Sequence, residues 1–585
     1  MRFRLLSPWA LALFSAVLIP RIQGAPPSPA FQYRVSWLGN SFSGASNQWV
    51  QNFFLHMNTS PDGTCHTWSH WDEGGRKFGV YRDGKVVGNE DVHANSLETL
   101  DALGRRWKIR PRWLDPIHNE YDFVPEAVTV DGVDIPLPDL FQPMALALAT
   151  DGTLMVADSG TGPRQQVLFY DVKDLQHPRL VRTFGEYGGI RAGQPGVVTP
   201  TKFWGIRGVG MDAQTNLYVA LSEMGTVLRK FTPDGRLAWE LYDHFFVDVA
   251  CADPSTDARD IWGVQEHYRL DEPTLDGSAG RWVGYSLDRH RYPNDPRGLT
   301  FVKQQGEHGL TSPQIVYLNN RRFLFTGGMF ASNFINIFRF EDEIAIPSAL
   351  IMQWGGGLYN TDLKWPPHRP PGPFLWRDEN GDGDYQPGEY APNTDRVRPG
   401  PFWVDGKGNI WMAYGFFRYD YQGLDTRGNP IYRADKVTVM EPPSGVGKVA
   451  RVWYDADRDL LVVADEGQDM RHIGTVTVCR GYLAGQRQGV TFRSGAGPEA
   501  ACLAVAGDYA FTGGWKERGR IWVNRLSDGA EVGVFEPGPT VGGVEATGWI
   551  DLLTGITAHR RQDGEYLVFV EEDYRAKVLL YRWKP

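Results

Sequence analysis

The sequence predicts an all-β chain folded as a β-propeller of about eight blades, with seven to nine fitting the length, each a four-stranded sheet. Three observations carry this expectation: a recurring strand–turn–strand unit, a composition rich in glycine and aromatic residues, and a length beyond one core. At 585 residues the chain exceeds what a single hydrophobic core usually organises, so it divides into domains or grows by repetition. Its 67 glycines, 13% aromatic and 22% charged residues describe a turn-rich β protein rather than a disordered or coiled-coil one. The formal charge is −10, and three of the positive charges, Arg2, Arg4 and Arg21, fall in the first residues. Such an acidic chain disfavours nucleic acid or an anionic membrane as its main partner.

The N-terminus sets the expected compartment. Arg2 and Arg4 precede an apolar run from Leu5 to Ile19 that is short for a membrane span, and Gly24-Ala25 offers small residues for cleavage. Residues 1–24 therefore read as a secretory signal peptide, with a membrane anchor as the alternative. No later segment has the ~20 uninterrupted apolar residues that a span requires. The mature chain is expected to be secreted or periplasmic and monomeric. An N-terminal segment covers 25–44, and the propeller 45–585, with insertions near 89–141, 267–300 and 355–400. Cys65, Cys251, Cys479 and Cys502 are too sparse for a disulfide scaffold and are not spaced as metal knuckles. Cys479 and Cys502 are close enough in sequence to pair on neighbouring strands; buried thiols are the equal alternative. Asn58-Thr59-Ser60 is a glycosylation sequon.

The repeat is an apolar run, an Asp-Gly turn, an alternating strand, a polar loop, and a strand that often ends in another Asp-Gly turn. Its first copy holds Asp62-Gly63 and Asp83-Gly84; its second runs from Asp151-Gly152 through Asp158 to Asp171; its third runs from Asn216 to Asp234-Gly235. Weaker copies centre on Trp262, Phe323, Trp411, Val462, Phe511 and Val568. These units recur at roughly 60 residues, and a blade needs ~40 to 50, so a propeller with insertions fits. A pair of β-sandwiches is the structural alternative, but it leaves the repeated turn unexplained.

The pattern "DGTLMVAD" followed by "VLFYD" resembles the bacterial exported NHL-repeat and gluconolactonase-like propellers. The likeness spans most of residues 45–585. It implies that the two chain ends meet in one blade, with Val578-Leu579-Leu580-Tyr581 or the strand before it pairing near the N-terminal strand. It also implies a funnel lined by a metal-coordinating set of Glu, Asn and Asp, although this sequence shows no residue-by-residue match to that set.

Consecutive turns of a blade alternate between the two faces of the disc, so the loops after the second strands share one face. Those stretches carry Asp72, Glu73, Arg76, Asp158, Glu223, His267, Glu466 and Glu571. They are the candidate catalytic or ligand-binding groups if they converge on the funnel; the alternative is that they cap turns.

The sharpest local motif is Asp378-Glu379-Asn380-Gly381-Asp382-Gly383-Asp384-Tyr385-Gln386-Pro387-Gly388-Glu389. Asp378, Asn380, Asp382, Gln386 and Glu389 place oxygen side chains at the first, third, fifth, ninth and twelfth positions of an EF-hand-like Ca²⁺ loop, and Asp384 supplies the carbonyl of the seventh. Prolines on both sides rule out flanking helices, so the ion is expected to stiffen an insertion.

Tryptophans at 68, 71, 204, 262, 354, 365, 376, 515 and 549 suit either sugar stacking or packing between sheets. His66 and His70 share a strand face with Trp68, while His93, His267 and His308 lie in irregular stretches. The expected function is a calcium-binding propeller that takes a saccharide or another extracellular ligand at its loop face. The alternative is a carbohydrate-active lyase, glycosidase or lactonase using funnel carboxylates. A quinoprotein dehydrogenase is a remote alternative, because the chain lacks adjacent cysteines and a regular tryptophan docking pattern.

Overall fold

The computed structural model describes residues 31–69, 74–115, 119–159, 162–222, 225–244, 249–298, 310–328, 334–353, 365–395, 400–548, 550, 552–572, 575 and 577–585. The expected signal peptide lies outside the described residues. Among those residues the strands form ten antiparallel sheets, nine of four strands and one of six. Numbered as blades in chain order, they span 54–88, 98–134, 143–184, 206–243, 251–285, 310–392, 402–439, 449–493, 500–535 and 556–583. The all-β propeller class expected from sequence is present, with ten sheets in place of about eight.

Local chemistry explains the repeat. In the turn joining the first two strands of blade 1, the Asp62 carboxylate accepts the amide of Thr64 at 3.0 Å, and Gly63 sits at φ 83°, where a side chain is strained. Asp151 and Gly152 repeat the arrangement in blade 3, with Thr153 N donating at 2.9 Å. The strand after the turn, Leu154–Asp158, is buried along its whole length because sheets cover both of its faces. The outermost strand, Arg179–Phe184, is largely exposed and carries Arg179 and Arg182, charges that blunt an open edge against pairing with another chain.

The stretch near 89–141, expected as an insertion, holds the complete blade 2. Its Asp131-Gly132 turn joins the third and fourth strands, and its first turn runs through Asp101–Gly104, so the order of signals differs from the other units. The stretch near 267–300 carries the last two strands of blade 5, and that near 355–400 the two extra strands of blade 6, Phe374–Arg377 and Tyr390–Pro392. Strand Tyr33–Leu38 pairs antiparallel with Lys577–Trp583, Trp37 opposite Leu579. The chain ends therefore meet in blade 10, as the resemblance implies.

The ten sheets close into two rings. Blades 1 to 4 pack in order. His56 Nδ1 lies 2.8 Å from Ser96 Oγ, Leu146 N donates to Ser96 O, and Ile206 N donates to Ser159 Oγ at 2.7 Å. Blade 4 returns to blade 1, where Phe54 N donates to Thr226 Oγ1 at 3.2 Å. Blades 5 to 10 form the second ring. Tyr317 OH reaches Asp253, Val404 N donates to Gln314, Trp403 Nε1 donates to Tyr454 O, and Arg458 donates to Gly507 O. Asp508 N meets Tyr566 OH, and Thr557 Oγ1 of blade 10 donates to Ala250 O beside blade 5.

A two-segment neck joins the rings: Ser41 N donates to Tyr242 O, and His244 N to Gly39 O. The chain thus lays down one strand of the larger ring, builds the whole smaller ring, and returns. His244 is buried at this neck between Tyr242, 4.5 Å away, and Trp282, 4.1 Å away. Burial pulls its pKa well below the ordinary imidazole value.

Candidate functional site

The first strand of every blade in the larger ring lies next to the axis, and its consecutive residues line the central space from both faces of the sheet. They enclose a cavity of about 390 Å³, to which all six blades contribute, within the ~300–1,000 Å³ typical of small-molecule sites. Its wall is mainly apolar, with Ile315, Val316, Val452, Leu503, Val505 and Ile556. Two lining indoles, Trp403 and Trp453, stand 5.8 Å apart with planes inclined by 40°. Trp403 Nε1 donates to Tyr454 O at 3.0 Å, whereas Trp453 Nε1 has no hydrogen-bond partner among the described residues.

Polar groups mark the two mouths. At one, the hydroxyls of Ser312 and Thr554 bond to each other across the ring, and Arg451 Nε donates to Leu553 O at 2.7 Å. Other N–H groups of Arg451 donate to the carbonyls of Ala450 and Arg471, and burial lowers its pKa. At the other mouth, beside the turns that end the first strands, are Tyr317, Asp405 and His559. Asp405 is occupied: Lys407 N, Asn409 N and Trp411 Nε1 all donate to it. Burial depresses the pKa of His559, the first of several influences.

No family model matches this chain, and no curated protein matches it. Among solved structures, it is similar to the crystal structure of Saccharomyces cerevisiae Sqt1, with 11% identity and a TM-score of 0.27, over 76% of this chain and 96% of that one. So loose a superposition adds nothing to the fold read from the sheets.

The sequence-derived candidates do not gather at this cavity. Asp72, Glu73 and Glu223 lie outside the described residues, as do His70, His308, Trp71, Trp354 and Trp549. Arg76 and Asp158 belong to the smaller ring, and His267, Glu466 and Glu571 to the larger one, so no single funnel can collect them. Arg76 lies over Trp49, 4.2 Å from the ring centre, and donates to Trp49 O. Asp158 is buried and accepts Gln142 N at 2.8 Å and Phe141 N at 3.1 Å. Glu571 accepts Leu552 N at 3.0 Å, and Glu466 pairs with Lys448.

His267 is held between Glu343, at 2.7 Å, and Asp260, at 3.0 Å, and stacks on Trp262. Burial opposes its charge, but the two carboxylates outweigh burial and hold its pKa above the ordinary value. This is a brace between blades 5 and 6. Asp158, Asp465 and Glu571 act alike, because each stands at the end of a second strand and binds the amides of the segment entering its own blade. The turn-capping alternative describes them.

The tryptophans at 204, 262, 365 and 376 are buried in the packing of the sheets, and Trp68 stacks on its cross-strand neighbour His56. The four cysteines are free and buried; burial pushes Cys65, Cys251 and Cys502 up to about 12. Cys479 and Cys502 do not pair.

The expected calcium ligands are likewise engaged. Arg339 pairs with Asp378. Asp382 accepts Asn380 Nδ2 and Gln386 Nε2, Asp384 accepts Asn294 Nδ2, and Glu389 accepts Glu379 N and Trp376 Nε1. As arranged, this donor set does not fit a calcium ion, and among the described residues no group of three or more His, Cys, Asp or Glu is placed to hold a metal. No helix among the described residues is long and apolar enough to cross a membrane.

Reading the sequence missed the cavity residues because they lie on first strands, upstream of the turns and loops that drew attention. An apolar run before each Asp-Gly turn marks these strands, but which side chains face the axis depends on how many blades share it.

Proposed function

We propose that this protein is an exported binding propeller whose ligand site is the axial cavity of the six-blade ring, and that the ligand is a saccharide or another small extracellular molecule with an apolar face. The observation that carries this reading is the convergence of six blades on one mainly apolar cavity of about 390 Å³. Indoles such as Trp403 and Trp453 stack on the C–H face of a sugar or on an aromatic ring. The described lining offers Asp405 as its carboxylate, already saturated by donors, so binding is better supported than acid–base catalysis, which needs paired groups.

The test is a thermal-shift and tryptophan-fluorescence screen of neutral and acidic mono- and oligosaccharides and small aromatic compounds, on the wild type and on Leu503→Trp. A ligand should raise the melting temperature and change the emission of the wild type. The added indole should narrow the cavity and weaken both effects while the protein remains folded. A ligand bound equally well by both proteins would place the site elsewhere.

A further inference from the structure

The loop 378–389 has the letter pattern of a calcium site, yet its side chains already form a closed set of partners built around a cation belonging to the chain. Arg339 lies on strand Phe334–Glu341 of blade 6 and is buried. One of its Nη atoms pairs with Asp378 Oδ2 and donates to Asn429 Oδ1 at 2.8 Å; the other donates to Gly381 O at 2.9 Å. The second Asp378 oxygen accepts Gly381 N at 2.9 Å. Both oxygens of the carboxylate that would lead a calcium shell are therefore engaged, and its own counter-charge sits beside it.

The ligand at the far end is committed as well. Glu389 Oε1 accepts Glu379 N at 3.0 Å, and Oε2 accepts Trp376 Nε1 at 2.9 Å and Gln386 N at 3.1 Å. Calcium requires six to eight oxygens converging at ~2.3–2.6 Å, and a carboxylate bound to N–H donors on its own loop cannot turn to such a centre without breaking those bonds. Arg377 adds a second positive charge, 3.2 Å from Asp425 and paired with Glu379. A divalent ion beside two guanidinium groups would be repelled by both.

We propose that Arg339 replaces calcium in this loop, making it a metal-independent staple that fastens blade 6 to blade 7. Asn429 makes the second attachment: it lies in blade 7, accepts Ser348 Oγ of blade 6 at 2.7 Å as well as Arg339, and donates to Asp378 O. Charge, turn geometry and the joint between blades are thereby served by one buried arginine.

The experiment compares thermal melting of the full chain in millimolar calcium chloride and in excess EGTA, together with equilibrium dialysis against radioactive calcium. The wild type should melt at the same temperature in both media and retain no stoichiometric calcium. Arg339→Met should melt several degrees lower, with calcium restoring part of the loss. If that variant does not fold, Asp378→Asn serves: it should lower the melting temperature equally in both media. One calcium ion retained per wild-type chain, or a wild-type melting temperature that falls in EGTA, would overturn the proposal. So would an Asp378→Asn defect seen in calcium alone.

Discussion

Thr557 donates its hydroxyl to the carbonyl of Ala250 across 307 residues of sequence, and this contact joins the last blade of the larger ring to the first. Nearby, Arg561 donates to Ala258 O at 3.1 Å and Gln562 N to Asp257 at 2.9 Å. Replacing Thr557 by valine keeps the shape and leaves the carbonyl without that donor. We expect a loss of about 1 kcal/mol, read as a lower urea midpoint with an unchanged slope.

The smaller ring is tight enough to exclude a single methyl group. A β-carbon on Gly208 would lie 2.6 Å from Met57 Cβ and 3.2 Å from Met57 N, and one on Gly210 would lie 2.5 Å from Thr59 Cβ. Gly208→Ala should therefore destabilise the protein by about 1–3 kcal/mol through overpacking. Limited proteolysis should then cut first within residues 54–243. Unchanged melting and cleavage would show that blades 4 and 1 do not meet as described.

Glu266 makes stability depend on pH. It is buried at the start of the third strand of blade 5, accepts Gln265 N at 3.3 Å, and has no partner for Oε1 among the described residues. Burial pushes its pKa up to about 8. The folded state thus holds a proton that the unfolded chain releases above its usual carboxylate pKa. Stability from this group is complete at low pH and is lost as pH rises towards 8, at up to ~1.4 kcal/mol per pH unit. Glu266→Gln should remove that part of the slope and melt higher than the wild type at pH 8. Parallel melting curves for the two proteins across this range would refute it.

Asp158 and Asp465 distinguish braces from ligand-binding groups. Asp158 holds Phe141 N and Gln142 N and lies 3.3 Å from Arg164; Asp465 holds Gly447 N and Lys448 N. Asp158→Ala leaves buried donors and a guanidinium unmatched and should cost about 2–4 kcal/mol. Asp465→Ala, in a more exposed setting, should cost less. Neither change should alter the affinity of the folded protein for a ligand of the axial cavity; a loss of affinity without a loss of stability would restore Asp158 as a site residue and make Asp465 one.

The sheets themselves were largely legible in the chain because a blade is specified locally. Asp62, Gly63 and Thr64 make their turn from residues adjacent in sequence, and an apolar strand such as Leu154–Asp158 declares its double-sided burial. Blade 2 escaped because its Asp-Gly pair stands at the last turn in place of the first and its long second strand alternates Arg106, Lys108 and Arg110 with apolar residues, so it reads as a solvated segment. The calcium motif shows the opposite problem: its spacing is complete, but the partner that engages Asp378 comes from Arg339, 39 residues upstream on another strand.

By itself, then, the sequence determined that the chain is β, how its turns are made, and that similar sheets recur. Only the tertiary structure decided that ten sheets divide into rings of four and six, since the same local unit can serve either. Ring size depends on how closely neighbouring sheets approach, which rests on contacts such as Gly208 against Met57 and on the neck where Ser41 meets Tyr242. That division also decided the site, because an axial cavity takes its volume and lining from the number of blades around it.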